Sequence, residues 1–188
     1  IERQSDTDPK IREKAGLIRA QSIRIRNLIE DLNLASKLEY HAQPLRKRKV
    51  FLAAILRKVA ADLLNSLEQA EHYPLSICIE PEFETFPFEA DEQLLFRAFR
   101  NILGNSVRQN EDGCPLGVRA WLEGGCPCVV FYDSGRGIPS VICRFLNEGQ
   151  MPDRDVHLMG LRIVRQIIMA HEGNISVKED GQEIEVRF

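Results

Sequence analysis

The sequence has no apolar run approaching the ~18 residues that a membrane span requires, so no helix in it is expected to cross a bilayer. Aromatic residues are scarce at 7%, with a single Trp, and no Gly-, Pro- or Ser-rich tract or internal repeat interrupts the chain. The four histidines do not stand at ligand spacing from the five cysteines. Cys126 and Cys128, with only Pro127 between them, therefore read as free thiols rather than half a metal site. An odd number of cysteines with no preceding signal peptide points to a reducing, cytosolic setting. The net charge of −3 argues against a protein built to grip nucleic acid. An initiator Met is missing too: the chain opens on Ile1 and reads as a piece of something longer.

What is present is an ordinary globular balance, 44% hydrophobic and 28% charged over 188 residues. At roughly 100–200 residues per domain, that length fits one domain plus an appendage. The charge is divided. Residues 1–49 hold 12 Lys/Arg against 7 Asp/Glu, while the remainder holds 13 against 21. A split of +5 and −8 suggests two parts in different surroundings, 1–45 and 46–188, joined by the basic run Arg46–Lys49 as a solvated junction.

Asp8-Pro9 predicts a helix start, with Asp as N-cap and Pro at the first helical position. From Pro9 to about Glu39 the residues suit a helix, and Ile11, Ile18, Ile25 and Leu32 recur every seven, with Leu28, Ile29 and Ala35 beside them. This heptad stripe needs partner helices. A second helix is expected from Leu52 to about Ala70, then strands at Leu75–Ile79 and within Phe83–Phe88. Asp91 should cap a helix running to about Gln109. A hairpin follows, Gly117–Glu123 and Cys128–Asp133, turning at Gly124-Gly125. An irregular stretch from Pro139 to Leu158 leads into a helix from Leu161 to about His171, stopped by Gly173. A final hairpin turns at Asp180-Gly181. Helices interspersed with mostly antiparallel strands imply an α/β fold, a two-layer α/β sandwich preceded by a long helix.

Three clusters could carry chemistry. Asn101, Asn105 and Arg108 fall at i, i+4 and i+7 on the helix after Asp91, so they share one face. That face is either a solvated polar stripe or a metal–phosphate edge, with an amide oxygen as a hard ligand and a guanidinium facing phosphate. Asp133-Ser134-Gly135-Arg136-Gly137-Ile138 directly follows a strand; its glycines allow positive φ and close backbone approach, or simply make a turn. His157-Leu158-Met159-Gly160-Leu161 opens a helix, whose free N–H groups suit an anion or merely begin a core element.

In this order and spacing the three clusters resemble the ATP-binding domain of the GHKL superfamily. Ile29-Glu30-Asp31-Leu32-Asn33-Leu34-Ala35-Ser36-Lys37-Leu38-Glu39 looks like the end of the second helix of the dimerisation and phosphotransfer hairpin of sensor histidine kinases. The resemblance implies that Asn101 and Asn105 form the N-box, with Asn105 binding Mg²⁺ and Arg108 facing the phosphates. It makes Asp133 the adenine-binding residue and Gly135, Gly137 and Ile138 part of the same box. Gly160 and Leu161 become the later part of the second Gly box, and Ser140–Met159 the ATP lid. ATP and Mg²⁺ are thus implied as ligands, and a response-regulator receiver domain as partner. The hairpin implies a homodimer of the full-length protein, and the catalytic portion is expected in the cytoplasm, whether or not its parent is membrane-anchored.

Gyrase-type and chaperone-type members carry a general-base Glu at the position of Asn101. An amide cannot take a proton at neutral pH, so the resemblance favours phosphoryl transfer over hydrolysis. Two departures stand out. Leu158 replaces the first Gly of the second Gly box, and the lid is short, with Phe145 standing in for part of its aromatic motif. These departures support an alternative, a degenerate interaction module that has lost ATP binding. None of His41, His72, His157 and His171 sits in a His-Glu/Asp-x-Arg-x-Pro-Leu phosphoacceptor context; His41 before Ala42-Gln43-Pro44-Leu45 is only an echo. The acceptor is expected upstream, with Ile1–Arg3 as the tail of its helix.

Overall fold

The computed structural model describes residues 9–39, 44–150, 159–178 and 182–188. Outside them lie Asp8, Ile1–Arg3, His41, the stretch containing His157 and Leu158, and the Asp180-Gly181 turn; the side chains of Leu28, Leu32 and Ala35 are also not among those described.

The first element is a single helix, α1 (Pro9–Glu39). Ile11, Ile18, Ile25 and Ile29 of the heptad stripe are all more than half exposed. Nearer its C-terminal end Leu34 is buried and joins the core, and α1 lies against the last helix, α6 (Met159–Ala170). One end of α1 is therefore packed, while Ile11, Ile18, Ile25 and Ile29 face outward.

The basic run is only partly a junction. Arg48–Phe51 forms strand β1, paired antiparallel with β3 (Pro87–Ala90), Val50 opposite Phe88. The charged residues of β1 are exposed and Val50 is buried, so charge on the outward positions hid a strand. Phe83–Phe88 is likewise not one extended piece. Pro81–Glu84 makes a helical turn, α3, with Pro81 at its first position and Phe83 buried. Pro87 opens β3, which suits a residue without an N–H at the start of an edge strand. Helix α2 (Leu52–Ser66) stops short of Ala70, where the Ser66 hydroxyl donates to the Leu63 carbonyl.

The main sheet has five strands in the order β2 (Leu75–Ile79), β4 (Leu116–Glu123), β5 (Cys126–Asp133), β7 (Glu183–Arg187), β6 (Asn174–Val177). β2 runs parallel to β4 and the other pairs are antiparallel. Gly124 and Gly125 both have positive φ (60° and 85°), as a tight hairpin turn between right-twisted strands requires. One sheet face carries Val118, Ala120, Val129, Phe131, Ile184 and Val186, all in one core with the helices. Alternate positions turn the other way and are roofed by ion pairs, Arg119 with Glu183 and Arg187 with Glu185 and Glu123. This is the expected two-layer α/β sandwich, with a mixed sheet.

Helix α4 (Glu92–Gln109) is capped by Asp91, whose carboxylate accepts from the Leu94 N–H at 3.2 Å. Leu95, Ala98, Phe99 and Ile102 make its buried stripe, and the Phe99 ring sits 5.3 Å from that of Phe131 on β5. Full burial of such a ring contributes roughly 1.5–3 kcal/mol, so this contact fixes α4 against the strand that ends in Asp133.

Two further expectations need correction. The stretch after Pro139 is not irregular: Ser140–Glu148 is helix α5, with Ile142, Phe145 and Leu146 buried at helical spacing. Phe145 is therefore a core residue and not part of a lid. Helix α6 ends at Ala170, and Glu172 rather than Gly173 takes the left-handed position, at φ 64°. Gly173 is needed for another reason. A Cβ there would come within 2.7 Å of the Arg187 carbonyl oxygen.

Candidate functional site

Helix α4 presents Asn101 and Asn105, both half-buried, and Arg108, which is exposed. Asn101 Nδ2 donates to the Gly160 carbonyl at 3.5 Å, so the polar face of α4 meets the first turn of α6. A Cβ on Gly160 would find Asn101 at 3.8 Å and Arg108 at 4.0 Å as its nearest neighbours. The first-turn N–H groups of α6, at Gly160 and Leu161, begin a helix and have no helical acceptor behind them.

Asn105 is the anomaly of this face. Its Oδ1 accepts from the Arg108 guanidinium, while its Nδ2 is buried with no partner among the described residues. A buried amide with unmet bonding capacity is costly and calls for a reason. Asn105 lines a narrow cleft, with about 20 Å³ of space open to water, between α4, β5, β7, α5 and α6. Ile102, Phe131, Ile138, Ile142, Leu161 and Ile184 give the cleft apolar walls, and Ser106, Gln109, Gln182 and Asp133 add polar groups. Asp133 is the one carboxylate among them.

Asp133 ends β5. Its Oδ1 accepts from the Gly135 N–H at 3.0 Å, and the Asn110 amide approaches the same oxygen at 3.4 Å. Its charge is felt nearby. Burial pushes the Cys114 thiol up from its ordinary range, and the Asp133 carboxylate pushes it further. The two loop glycines differ. Gly137 has φ 75°, a conformation that favours glycine. Gly135 does not; its missing Cβ would lie 1.9 Å from Asn110 Oδ1. The demand for glycine at 135 comes from a neighbouring side chain of this chain, and neither glycine lines the cleft.

Of the residues expected from sequence, Asn105, Asp133, Ile138 and Leu161 thus share one cleft, and Asn101, Arg108 and Gly160 meet beside it. Residues 151–158 of the expected lid lie outside the described residues. Sequence reasoning missed Asn110, which is 7% exposed and closes α4. An Asn just past a helical run, twenty-odd residues before an Asp-x-Gly, was its only visible sign.

A helix with an amide-and-guanidinium face thus packs over a strand that ends in a half-buried carboxylate. A family model described as histidine kinase-, DNA gyrase B- and HSP90-like ATPase matches residues 90–188, just over half of the chain. The chain belongs to this family. The matched region starts beside the α4 cap and includes every site residue named above, while α1 to α3 precede it. Among curated relatives, sensor histidine kinase YvrG of Bacillus subtilis is 26% identical over 182 residues, covering 93% of this chain and 31% of YvrG. The chain thus spans about a third of that relative's length. Among solved structures, full-length ShkA in complex with AMPPNP superposes with a TM-score of 0.75 at 22% identity, covering 98% of this chain and 39% of ShkA. ThkA in complex with the response regulator protein TrrA gives 0.72 at 16% identity, covering 99% and 53%. These identities speak for the fold, which is that of a sensor histidine kinase's GHKL ATPase domain. No described helix is long and apolar enough to cross a membrane.

Proposed function

We propose that residues 46–188 bind Mg·ATP in this cleft and donate the γ-phosphoryl group to a His outside the chain. Residues 1–45 then belong to the hairpin that carries that His and dimerises the full-length protein. The phosphorylated His passes its group to the receiver domain of a response regulator. The reaction belongs on the cytoplasmic side, where ATP is supplied.

One observation carries the reading: the carboxylate of Asp133 and the under-satisfied amide of Asn105 face one apolar cleft. Asp133 accepts a hydrogen bond from the adenine amino group, and Ile138 and Leu161 pack on the base. The Asn105 amide, turned over, offers its oxygen to the same space, and a hard oxygen suits Mg²⁺. Mg²⁺, when bound, offsets charge on the phosphate oxygens. Arg108 pairs with the phosphates, and the N–H groups at Gly160 and Leu161 add a helix N-terminus to that anion site. Asn101 cannot abstract a proton from water, so it positions rather than activates, and hydrolysis is slow. The likeness to YvrG and to ShkA bound to AMPPNP supports the nucleotide, and ThkA bound to TrrA supports the partner.

Titration calorimetry with ATP and Mg²⁺, at concentrations suited to weak affinity, tests the reading. Heat of binding that Asp133→Ala abolishes is expected, and its absence in the wild type overturns the proposal. Leu158→Gly separates it from a degenerate module: nucleotide binding that appears only in that variant favours the module.

A further inference from the structure

Asn110 uses every polar group it has, and its bonds join the two halves of the site. Its Nδ2 donates to the Ser106 carbonyl at 2.9 Å, inside the last turn of α4. Its Oδ1 accepts from the Arg136 N–H at 3.1 Å, in the loop after β5. Its own carbonyl accepts from the Tyr73 hydroxyl at 2.8 Å and the Gly113 N–H at 2.9 Å. The side chain is 7% exposed and in tight contact with Gly135. A residue so held has one rotamer open to it.

Asp133 sits against this anchor. Its Oδ1 is taken by the Gly135 N–H and faces the Asn110 amide, while its Oδ2 makes no hydrogen bond among the described residues. The carboxylate is thereby given a direction, one oxygen tied to the loop and one free for the cleft. We infer that Asn110 is a positioning residue for base recognition, fixing the loop so that Asp133 turns a single oxygen toward an adenine-type amino donor. The inference rests on the reading of Asp133 as the base-binding carboxylate. Adenine presents an amino group at the position where guanine presents a carbonyl. A fixed carboxylate oxygen accepts from the first and repels the second, so Asn110 sets the preference for ATP over GTP.

The test measures Mg·ATP and Mg·GTP affinities of the whole chain by calorimetry for the wild type, Asn110→Ala, Asp133→Ala and the double variant. Loss of a directed hydrogen bond to a charged group is worth on the order of tenfold or more in affinity, so Asn110→Ala is expected to lower the ATP-to-GTP ratio about that much. Asp133→Ala should abolish the preference, and Asn110→Ala should add little to it. A merely structural role would weaken both nucleotides alike and leave the ratio unchanged, which would overturn the inference, as would additive effects in the double variant. If Asn110→Ala does not fold, Asn110→Asp carries the same measurement. It is nearly isosteric and keeps the acceptor for Arg136, but it loses the donor and sets a second carboxylate against Asp133; an unchanged ratio there is equally fatal. A wild type that binds neither nucleotide overturns the proposed function and this inference with it. A wild type that prefers ATP while Asn110→Ala keeps that preference overturns the inference alone.

Discussion

Gly135→Ala and Gly160→Ala are the same chemical change at two glycines beside one site, one in a loop and one in a helix, and the structure expects opposite results. At Gly135 the new methyl would lie 1.9 Å from Asn110 Oδ1 and within 2.4 Å of Nδ2. Ordinary contact begins near 3.4 Å, so something must move by about 1.5 Å. Asn110 cannot turn away without giving up both the Ser106 carbonyl and the Arg136 N–H. Overpacking of this kind costs typically 1–3 kcal/mol, and a stranded buried partner adds about 1–3 more. Loop relaxation recovers part of that, leaving a loss of roughly 2–4 kcal/mol. At about 2–4 °C per kcal/mol for a chain of this size, the melting temperature should fall by about 5–15 °C. At Gly160 the nearest atoms to the methyl stand at 3.8 Å, and the residue is inside a helix. Ala is preferred there by about 0.8–1 kcal/mol, so stability should hold or rise. Thermal melting by circular dichroism, checked by urea titration, decides. Equal shifts in the two variants, or a Gly135→Ala melting point within about 2 °C of wild type, would refute the account of Asn110 as a rigid neighbour.

Three shorter predictions follow from the packing. Burial holds the pKa of His171 below its ordinary value; Nε2 accepts from the Asp91 N–H at 3.0 Å, and Nδ1 faces the Ile167 carbonyl. Below about pH 6.5 the unfolded chain takes up a proton that the folded one resists, so this stability is intact above that pH and is lost as pH falls through it. Urea midpoints at pH 7.5 and 5.5 should differ, and His171→Gln should flatten the difference; an unaltered slope would assign it elsewhere. Glu172→Gly relieves a left-handed backbone worth about 1 kcal/mol and loses only an exposed pair with Lys47. It should therefore raise the melting temperature, and a fall would contradict the reading. Phe99→Ala should cost about 3–5 kcal/mol, because the ring is wholly buried against Phe131; a loss under about 1 kcal/mol would mean that α4 is not anchored there.

What could be read from sequence followed from local rules. The α4 boundaries were legible because Asp91 caps and the apolar residues repeat at helical spacing. The β4–β5 turn was legible because two adjacent glycines supply two positive φ angles. Asn101, Asn105 and Arg108 were legible as one face because helical spacing alone puts them there. The rest depended on tertiary contacts. β1 is a strand only because β3 pairs with it, and its exposed charges imitate a linker. α5 is short, has no side-chain cap, and is fixed from outside: Asn147 exchanges two hydrogen bonds with the Val177 backbone, at 2.6 and 3.2 Å, on the edge strand β6. Gly173 looked like the left-handed stop because glycine usually is, yet Glu172 takes that place and Gly173 makes room for β7. Asn110 ties the end of α4 to the loop after β5, two elements distant in sequence, so no local rule reveals that role.

The charge split acquires a physical meaning from where the acidic groups are spent. Beyond residue 49 the chain has 21 acidic residues against 13 basic, an unfavourable background for an anionic ligand. Screening limits that background to about 8 Å at physiological salt, so local arrangement decides. Glu183, Glu185 and Glu123 are engaged on the outer sheet face by Arg119, Arg187 and Lys178, and Glu84 and Glu92 are engaged by Arg57 and Arg48. None of these points from the polar face of α4, where the groups are two amides and one guanidinium. Among the described residues Asp133 alone brings a negative charge to the cleft, at the end of β5. A carboxylate at 101 would add negative charge to that face and offer water a base. Under the proposed function the amide there does neither, so it spares a triphosphate one repulsive charge and withholds a general base for hydrolysis.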